Sequence, residues 1–179
     1  MIERSEGTIG AALPELGGRV LALVGGAAAT LALCLPWASE DETVTVGEFG
    51  RSQALVRGGD EWTGWNLGGA STLDSHRPVP LVVAALLILL TLGLLAVCWL
   101  GFEWADRAAS AWLPRATAAA ALVLLVASLF AVAGIDGTFG AGHLVTVEEG
   151  VLFWRASVGL VLVAATRVAI LQEYRRATA

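Results

Sequence analysis

Four apolar runs dominate this chain of 179 residues, and each is long enough to cross a bilayer as a helix. They cover residues 20–37, 79–100, 116–135 and 151–171. A helix rises about 1.5 Å per residue, so a run of about 20 residues matches a hydrocarbon core of about 30 Å. Because backbone amides in lipid need partners within their own segment, the sequence predicts four transmembrane helices.

Composition supports a single membrane domain over residues 1–179. The hydrophobic fraction is 56% and the charged fraction is only 15%, whereas soluble domains carry about 25% charged residues. The net charge of −5 argues against nucleic acid as a partner. All 11 basic residues are arginine, and with the abundance of Ala, Gly, Leu and Val this indicates a GC-rich, actinobacterial genome.

The arginines predict the orientation of the chain. Residues 1–19, 101–115 and 167–179 contain Arg4, Arg19, Arg107, Arg115, Arg167, Arg175 and Arg176, whereas the rest of the chain contains Arg51, Arg57, Arg77 and Arg155. Positive residues are enriched on the cytoplasmic side of a membrane. We therefore expect a plasma-membrane protein with both termini in the cytoplasm and with loops 38–78 and 136–150 outside.

All seven tryptophans lie near the ends of these runs, in a short connection or in the long first loop. Tryptophan gathers at the headgroup level of a bilayer, which accounts for Trp37, Trp99, Trp104, Trp112 and Trp154 as two interfacial belts. Trp62 and Trp65 are three residues apart, would share a face on a helical turn, and are not explained by the membrane alone. They are candidates for binding a lipid, a quinone-like ring or a partner protein; alternatively they pack the loop onto the second span.

The outer loops contain strand patterns. Residues 43–46 alternate in polarity, residues 53–57 are strand-like, and glycines lie between them, which predicts a β-hairpin. Residues 143–147 are a third strand candidate, and Thr146 with Glu149 matches a capping box for the fourth helix. The expected fold is an all-α membrane protein with four transmembrane helices and a small extracytoplasmic hairpin or sheet cap.

This layout resembles that of claudins, in which four helices lie beneath a small extracellular sheet, although the paired cysteines of the claudin loop are absent here. The elements Leu35-Pro36-Trp37 and Gly64-Trp65 resemble those of small uncharacterised actinobacterial four-helix membrane proteins, including the membrane protein associated with tryptophan-biosynthesis operons. The resemblance implies a four-helix fold and no particular chemistry.

Two further sets of residues are candidate sites. Arg155 and Arg167 lie near opposite ends of the fourth run, where arginines can reach the headgroup layers. Arg155 could instead pair with Asp136 or Glu149, or bind a lipid phosphate. Small residues in the first run have the spacing that lets helices approach closely, within the bundle or with a partner. They are the stripe Ala22, Gly26 and Thr30, together with Gly25 and Ala29.

No catalytic or cofactor pattern stands out. The two histidines, His76 and His143, lack metal-ligand spacing, and the acidic first loop is expected to be a solvated face, with cation binding left open. We expect no cofactor, no metal and no enzymatic activity. The favoured hypothesis is an accessory or scaffolding subunit that contacts the bilayer and other membrane subunits or further copies of itself. Alternatives are an apolar-ligand binding or transport protein that uses the tryptophan patch, and an outer-surface enzyme using Asp74 with the histidines.

Overall fold

The computed structural model describes residues 3–48, 51–65, 81–103, 112–138 and 144–178. Within these ranges, four helices and three strands are present: α1 (Glu3–Ala32), β1 (Pro36–Glu48), β2 (Arg51–Thr63), α2 (Leu81–Glu103), α3 (Leu113–Thr138), β3 (Leu144–Val147) and α4 (Glu149–Thr178). Every one of the four helices contains a stretch long and apolar enough to cross a membrane. The four predicted helices are confirmed, and the chain has the architecture of a multi-pass membrane protein.

The first helix does not follow the limits of the first apolar run. It begins at Glu3 and ends at Ala32, so the expectation that the helix continues to Trp37 is wrong. The chain leaves the helix through tight i to i+3 hydrogen bonds, of which the last joins the N–H of Leu35 to the carbonyl of Ala32 at 3.2 Å. Pro36 then begins β1, because proline has no N–H with which to continue a helix.

The helices form a ring in chain order, with α4 returning to contact α1. Glycines permit the closest approach, which is between α1 and the antiparallel α4. A Cβ atom on Gly25 would lie 2.8 Å from Cγ2 of Val161 and 3.0 Å from the carbonyl oxygen of Ser157, and one on Gly18 would overlap the side chain of Val168. In lipid, where apolar burial gives no advantage over lipid contact, such close backbone packing holds helices together.

Within the predicted small-residue stripe, Gly26 faces α2. Ala22 is buried, and a Cβ atom on Gly26 would meet Leu95 of α2 at 3.4 Å. Thr30 turns back on its own helix and donates to the carbonyl of Gly26 at 3.0 Å. The closest contacts of α1 are made toward α4, by Gly18 and by Gly25, which the sequence also predicts as a close-packing position.

Hydroxyl groups inside the bundle are satisfied within their own helices. Each donates to a carbonyl three or four residues earlier, as Thr91, Thr117, Ser128 and Ser157 do at 2.7–2.8 Å. A buried hydroxyl without a partner would be costly in an apolar interior. These bonds explain how small polar residues occupy an otherwise apolar core.

The strands form one antiparallel sheet in the order β2-β1-β3. In the hairpin, Thr43 pairs with Val56 and Val46 with Gln53, so the predicted hairpin is confirmed and its strands are longer than expected. The short β3 pairs with the first part of β1, from Ala38 opposite Val147 to Asp41 opposite Leu144.

The predicted capping box of the fourth helix is wrong. Thr146 lies in β3, and pairing with β1 keeps the chain extended up to Val147. The helix begins only at Glu149, and its first turn is closed by the N–H of Val151 donating to the carbonyl of Glu148 at 3.3 Å.

We expect Gly25→Ala to lower the free energy of unfolding by about 1–3 kcal/mol, because overpacking outweighs the better helix propensity of alanine. Denaturant-induced unfolding of the detergent-solubilised protein measures this. The matched control is Gly17→Ala in the same helix, where nothing lies within 4 Å of the added Cβ atom. Equal stability of the two variants would contradict the close approach of α1 and α4.

Candidate functional site

The sheet joins the helices around one side chain, Trp37. This residue lies in β1, close to the end of α1 and the start of α4, a region we call the sheet end of the bundle. Its indole is 2% exposed, and its Nε1–H donates to the carbonyl of Ala32 at 2.8 Å. Because Ala32 is the last residue of α1, its carbonyl has no i+4 helical partner, so the indole binds the helix terminus directly.

A second buried tryptophan extends this contact to the other helices. Trp154 of α4 is fully buried, and its ring meets that of Trp37 edge to face, with centroids 5.7 Å apart and an interplanar angle of 61°. Such a pair contributes about 0.5–1.5 kcal/mol beyond its area burial. The Nε1–H of Trp154 donates to the Thr91 hydroxyl of α2 at 3.2 Å, so two indoles join β1 to three helices.

Two glycines leave the space that Trp37 occupies. A Cβ atom on Gly64 would lie 2.9 Å from both Cε2 of Trp37 and Cδ2 of Leu33, and one on Gly150 would overlap Pro36 and the Trp37 ring. We call Leu33, Trp37, Gly64, Gly150 and Trp154 the Trp37 junction. Backbone hydrogen bonds reinforce it, from Trp65 N–H to the Leu33 carbonyl at 3.2 Å and from Glu148 N–H to the Trp37 carbonyl at 3.0 Å.

The assignment of Trp37 and Trp154 to interfacial belts is therefore wrong, since both are buried. Trp99 and Trp112 lie at the opposite end of the bundle and are 55% and 62% exposed, as the belt interpretation predicts. Trp104 lies outside the described residues. A tryptophan at the end of an apolar run has the same sequence pattern whether it faces headgroups or packs beneath a sheet.

The predicted tryptophan patch is not a helical turn. Trp62 belongs to β2, where its backbone pairs with Ala38, and its side chain lies outside the described part of the structure. Trp65 follows the end of β2 and is 44% exposed. Its Nε1–H contacts Sγ of Cys34 at 3.2 Å, so the indole is held beside the end of α1 with part of its ring accessible.

Arg155 is half-buried and contacts α3. Its Nε–H donates to the hydroxyl of Ser128 at 3.1 Å, and its Nη2 donates to the Ser128 carbonyl at 3.1 Å. The sequence pattern does not predict this partner, because nothing in it links two residues on separate helices. The side chain of Asp136 lies outside the described part of the structure, so its pairing with Arg155 stays a prediction.

A charged cluster lies at the other end of the bundle, which we call the terminal end, where α1 and α3 begin and α2 and α4 finish. The Glu15 carboxylate accepts hydrogen bonds from Arg19 at 2.6 Å and from Gln172 at 2.8 Å, and pairs with Arg175 at 2.8 Å. Arg19, only 6% exposed, also donates to the carbonyl of Gly101 in the last turn of α2.

The distribution of arginines predicts that Arg19 lies at the cytoplasmic flank, but it does not predict this cluster. The available signal was the i, i+4 spacing of Glu15 and Arg19, which favours an ion pair on a helix. The cost of burying Glu15 and Arg19 is offset by their partners. The Glu15 carboxylate contacts two guanidinium groups, and the Arg19 guanidinium contacts the C-terminal turn of α2, where a cation is favoured.

A small cavity lies among the helices next to this cluster. Its volume is about 20 Å³, and its lining includes Arg19, Cys98, Gly101 and Thr117. A cavity of this size holds about one water molecule. Within the described ranges, no group of three His, Cys, Asp or Glu side chains is arranged to hold a metal ion; Asp74, His76 and His143 lie outside those ranges.

Comparison of the sequence with models of protein families and with curated proteins finds no match.

We expect Trp37→Ala to lower the free energy of unfolding by about 3–5 kcal/mol, because a buried indole at the centre of the junction is lost. Trp37→Phe keeps a ring but removes the hydrogen bond to Ala32 and should cost about 1–2 kcal/mol. Denaturant unfolding in detergent measures both changes, with Trp99→Ala as the exposed-tryptophan control. A loss for Trp37→Ala no larger than that control would contradict the junction.

Proposed function

We propose that this protein is a non-catalytic accessory or scaffolding subunit of a larger membrane assembly. The observation that carries the proposal is the Trp37 junction, which attaches the sheet to the bundle through buried aromatic rings and backbone hydrogen bonds. These contacts attach the first part of β1 to the ends of α1 and α4. This attachment suits the presentation of a binding surface to a neighbouring subunit.

The packing of the described interior supports the same proposal. The cavity among the four helices has room for about one water molecule, whereas ligand pockets generally enclose about 300–1,000 Å³. The hydroxyls of Thr91, Thr117 and Ser157 bond to carbonyls of their own helices. These hydroxyl groups are therefore used in hydrogen bonds inside the bundle, as expected for a protein whose helices form a scaffold.

The proposed orientation places the sheet outside the plasma membrane and both termini in the cytoplasm, in a claudin-like layout. It is supported by arginines at the terminal end, which include Arg19, Arg115, Arg167, Arg175 and Arg176. We also propose that the chain belongs to the actinobacterial four-helix group, because it contains the Leu35-Pro36-Trp37 and Gly64-Trp65 elements. Leu33, Trp37 and the Gly64 position lie together in the Trp37 junction.

A second candidate function is the binding of an apolar ligand at the sheet end. It is favoured by the partial exposure of Trp65, whose ring is held by the contact with Cys34 rather than buried. An accessible indole beside the end of a membrane helix can stack against a ring or contact a partner protein. Both functions therefore use the same side chain, and they differ in what it binds.

The orientation is tested with Ser52→Cys, in the hairpin, in a chain whose native cysteines are replaced by Cys34→Ser and Cys98→Ala. We expect a membrane-impermeant maleimide to label Ser52→Cys in intact cells. The matched variant Thr178→Cys, at the end of α4, should be labelled only after the cells are permeabilised. The reverse pattern would invert the proposed topology.

The scaffolding role is tested by extracting the protein from native membranes in a mild detergent and determining the mass of the particle. We expect a complex that contains further protein subunits. Trp65→Ala should release most of the partner, whereas Trp112→Ala, an exposed tryptophan at the terminal end, should retain it. A monomer without associated protein would contradict the proposal, and loss of a bound small molecule alone in Trp65→Ala would favour the second candidate.

A further inference from the structure

The outward face of α4 contains a groove between two rows of side chains. Residues spaced four apart on a helix form ridges, and here the two ridges are Leu162, Thr166, Ile170 and Val163, Arg167, Leu171. All six of these residues belong to α4, and the space they border, about 380 Å³, is open on its outer side. Apart from Thr166 and Arg167, the side chains that line it are hydrocarbon.

Along the membrane normal, Arg167 lies near the terminal end of the bundle. Its neighbour Val168 packs against Gly18 of α1, and the next residue of α1, Arg19, reaches the Gly101 carbonyl in the last turn of α2. Arg167 is therefore at the level where the helices approach the membrane surface. The groove extends from this level toward the middle of α4, at Leu162.

The charge of Arg167 is available to a ligand. Arg19 and Arg175 pair with Glu15, and Arg115 pairs with Glu173. Among the described residues, by contrast, no carboxylate forms an ion pair with Arg167, which is exposed. A guanidinium on a lipid-facing surface is stabilised by an anion, and it binds phosphate oxygens through paired N–H donors.

We propose that this groove binds one anionic phospholipid, with its phosphate on Arg167 and an acyl chain between the two ridges. The groove is apolar along its length and carries one cation at headgroup depth, which matches the chemistry of such a lipid. Tyr174 lies two turns further along the same face and is 69% exposed, and its ring is suited to the headgroup layer.

A second copy of the chain fits this groove less well. Two copies in one membrane have the same orientation, so a twofold axis would bring identical residues together. The two α4 helices would then place Arg167 against Arg167, and two cations in contact with no anion between them repel each other. The groove therefore favours an anionic lipid over self-association.

The proposal is tested by native mass spectrometry of the protein after exchange into equal amounts of phosphatidylglycerol and phosphatidylcholine with identical acyl chains. We expect the wild type to retain phosphatidylglycerol with a preference of about fivefold, as one arginine at a membrane surface would produce. Arg167→Gln should remove this preference. Arg176→Gln makes the same charge change in the last turn of α4, beyond the groove, and should retain it.

The acyl-chain contact is tested with Thr166→Phe, which fills the groove and should reduce retention of both lipids while the unfolding midpoint stays unchanged. Glycerol 3-phosphate, which has the phosphate but no acyl chain, should fail to displace the bound lipid; displacement would show a site for phosphate alone. An unchanged preference in Arg167→Gln would overturn the proposal. A wild-type dimer that Thr166→Phe dissociates would also overturn it, by showing that the groove is a helix interface. If Thr166→Phe does not fold, the lipid preference of Arg167→Gln alone tests the proposal.

Discussion

The position of the sheet depends on the burial of one indole, that of Trp37. Its N–H donates to the end of α1 and its ring packs against Trp154 of α4, while Gly64 and Gly150 provide the space. Helix α1 ends at Ala32, and β1 begins at Pro36 after a short turn. The Trp37 indole thus joins the end of α1, the start of β1 and the first part of α4 at one level.

The two ends of the bundle are held by different chemistry. Lipid tails are as apolar as leucine, so apolar contact alone gives helices little reason to prefer each other over lipid. At the sheet end, shape provides the preference through the edge-to-face rings of Trp37 and Trp154 and through glycines. At the terminal end, charge provides it, because Glu15 of α1 accepts from Gln172 and Arg175 of α4 while Arg19 reaches α2. Between these ends, Gly18 and Gly25 bring α1 against α4.

The sequence predicts those parts of the structure that depend on residues near each other in the chain, and it does not predict contacts between residues far apart in the chain. Helices in lipid must satisfy their own backbones, so hydropathy alone predicts all four. Alternation at residues 43–46 and the strand-like segment 53–57 predict the hairpin. The burial of Trp37 depends on Gly64 and Gly150, which are distant in sequence. The contact of Arg155 with Ser128 depends likewise on how two helices face each other. Pairings of this kind leave no periodic trace in a single sequence.

The same physics bears on what the protein can recognise. Exposed apolar side chains cover much of the perimeter, and the apolar stretch of α2 is only 22% buried. Such a surface contacts lipid and neighbouring helices equally well, so it cannot by itself discriminate between them. Discrimination requires side chains whose polar or aromatic groups reach the surface. Trp65 at the sheet end and Arg167 near the terminal end meet that requirement, and they offer an aromatic ring and a positive charge on opposite sides of the membrane-spanning region.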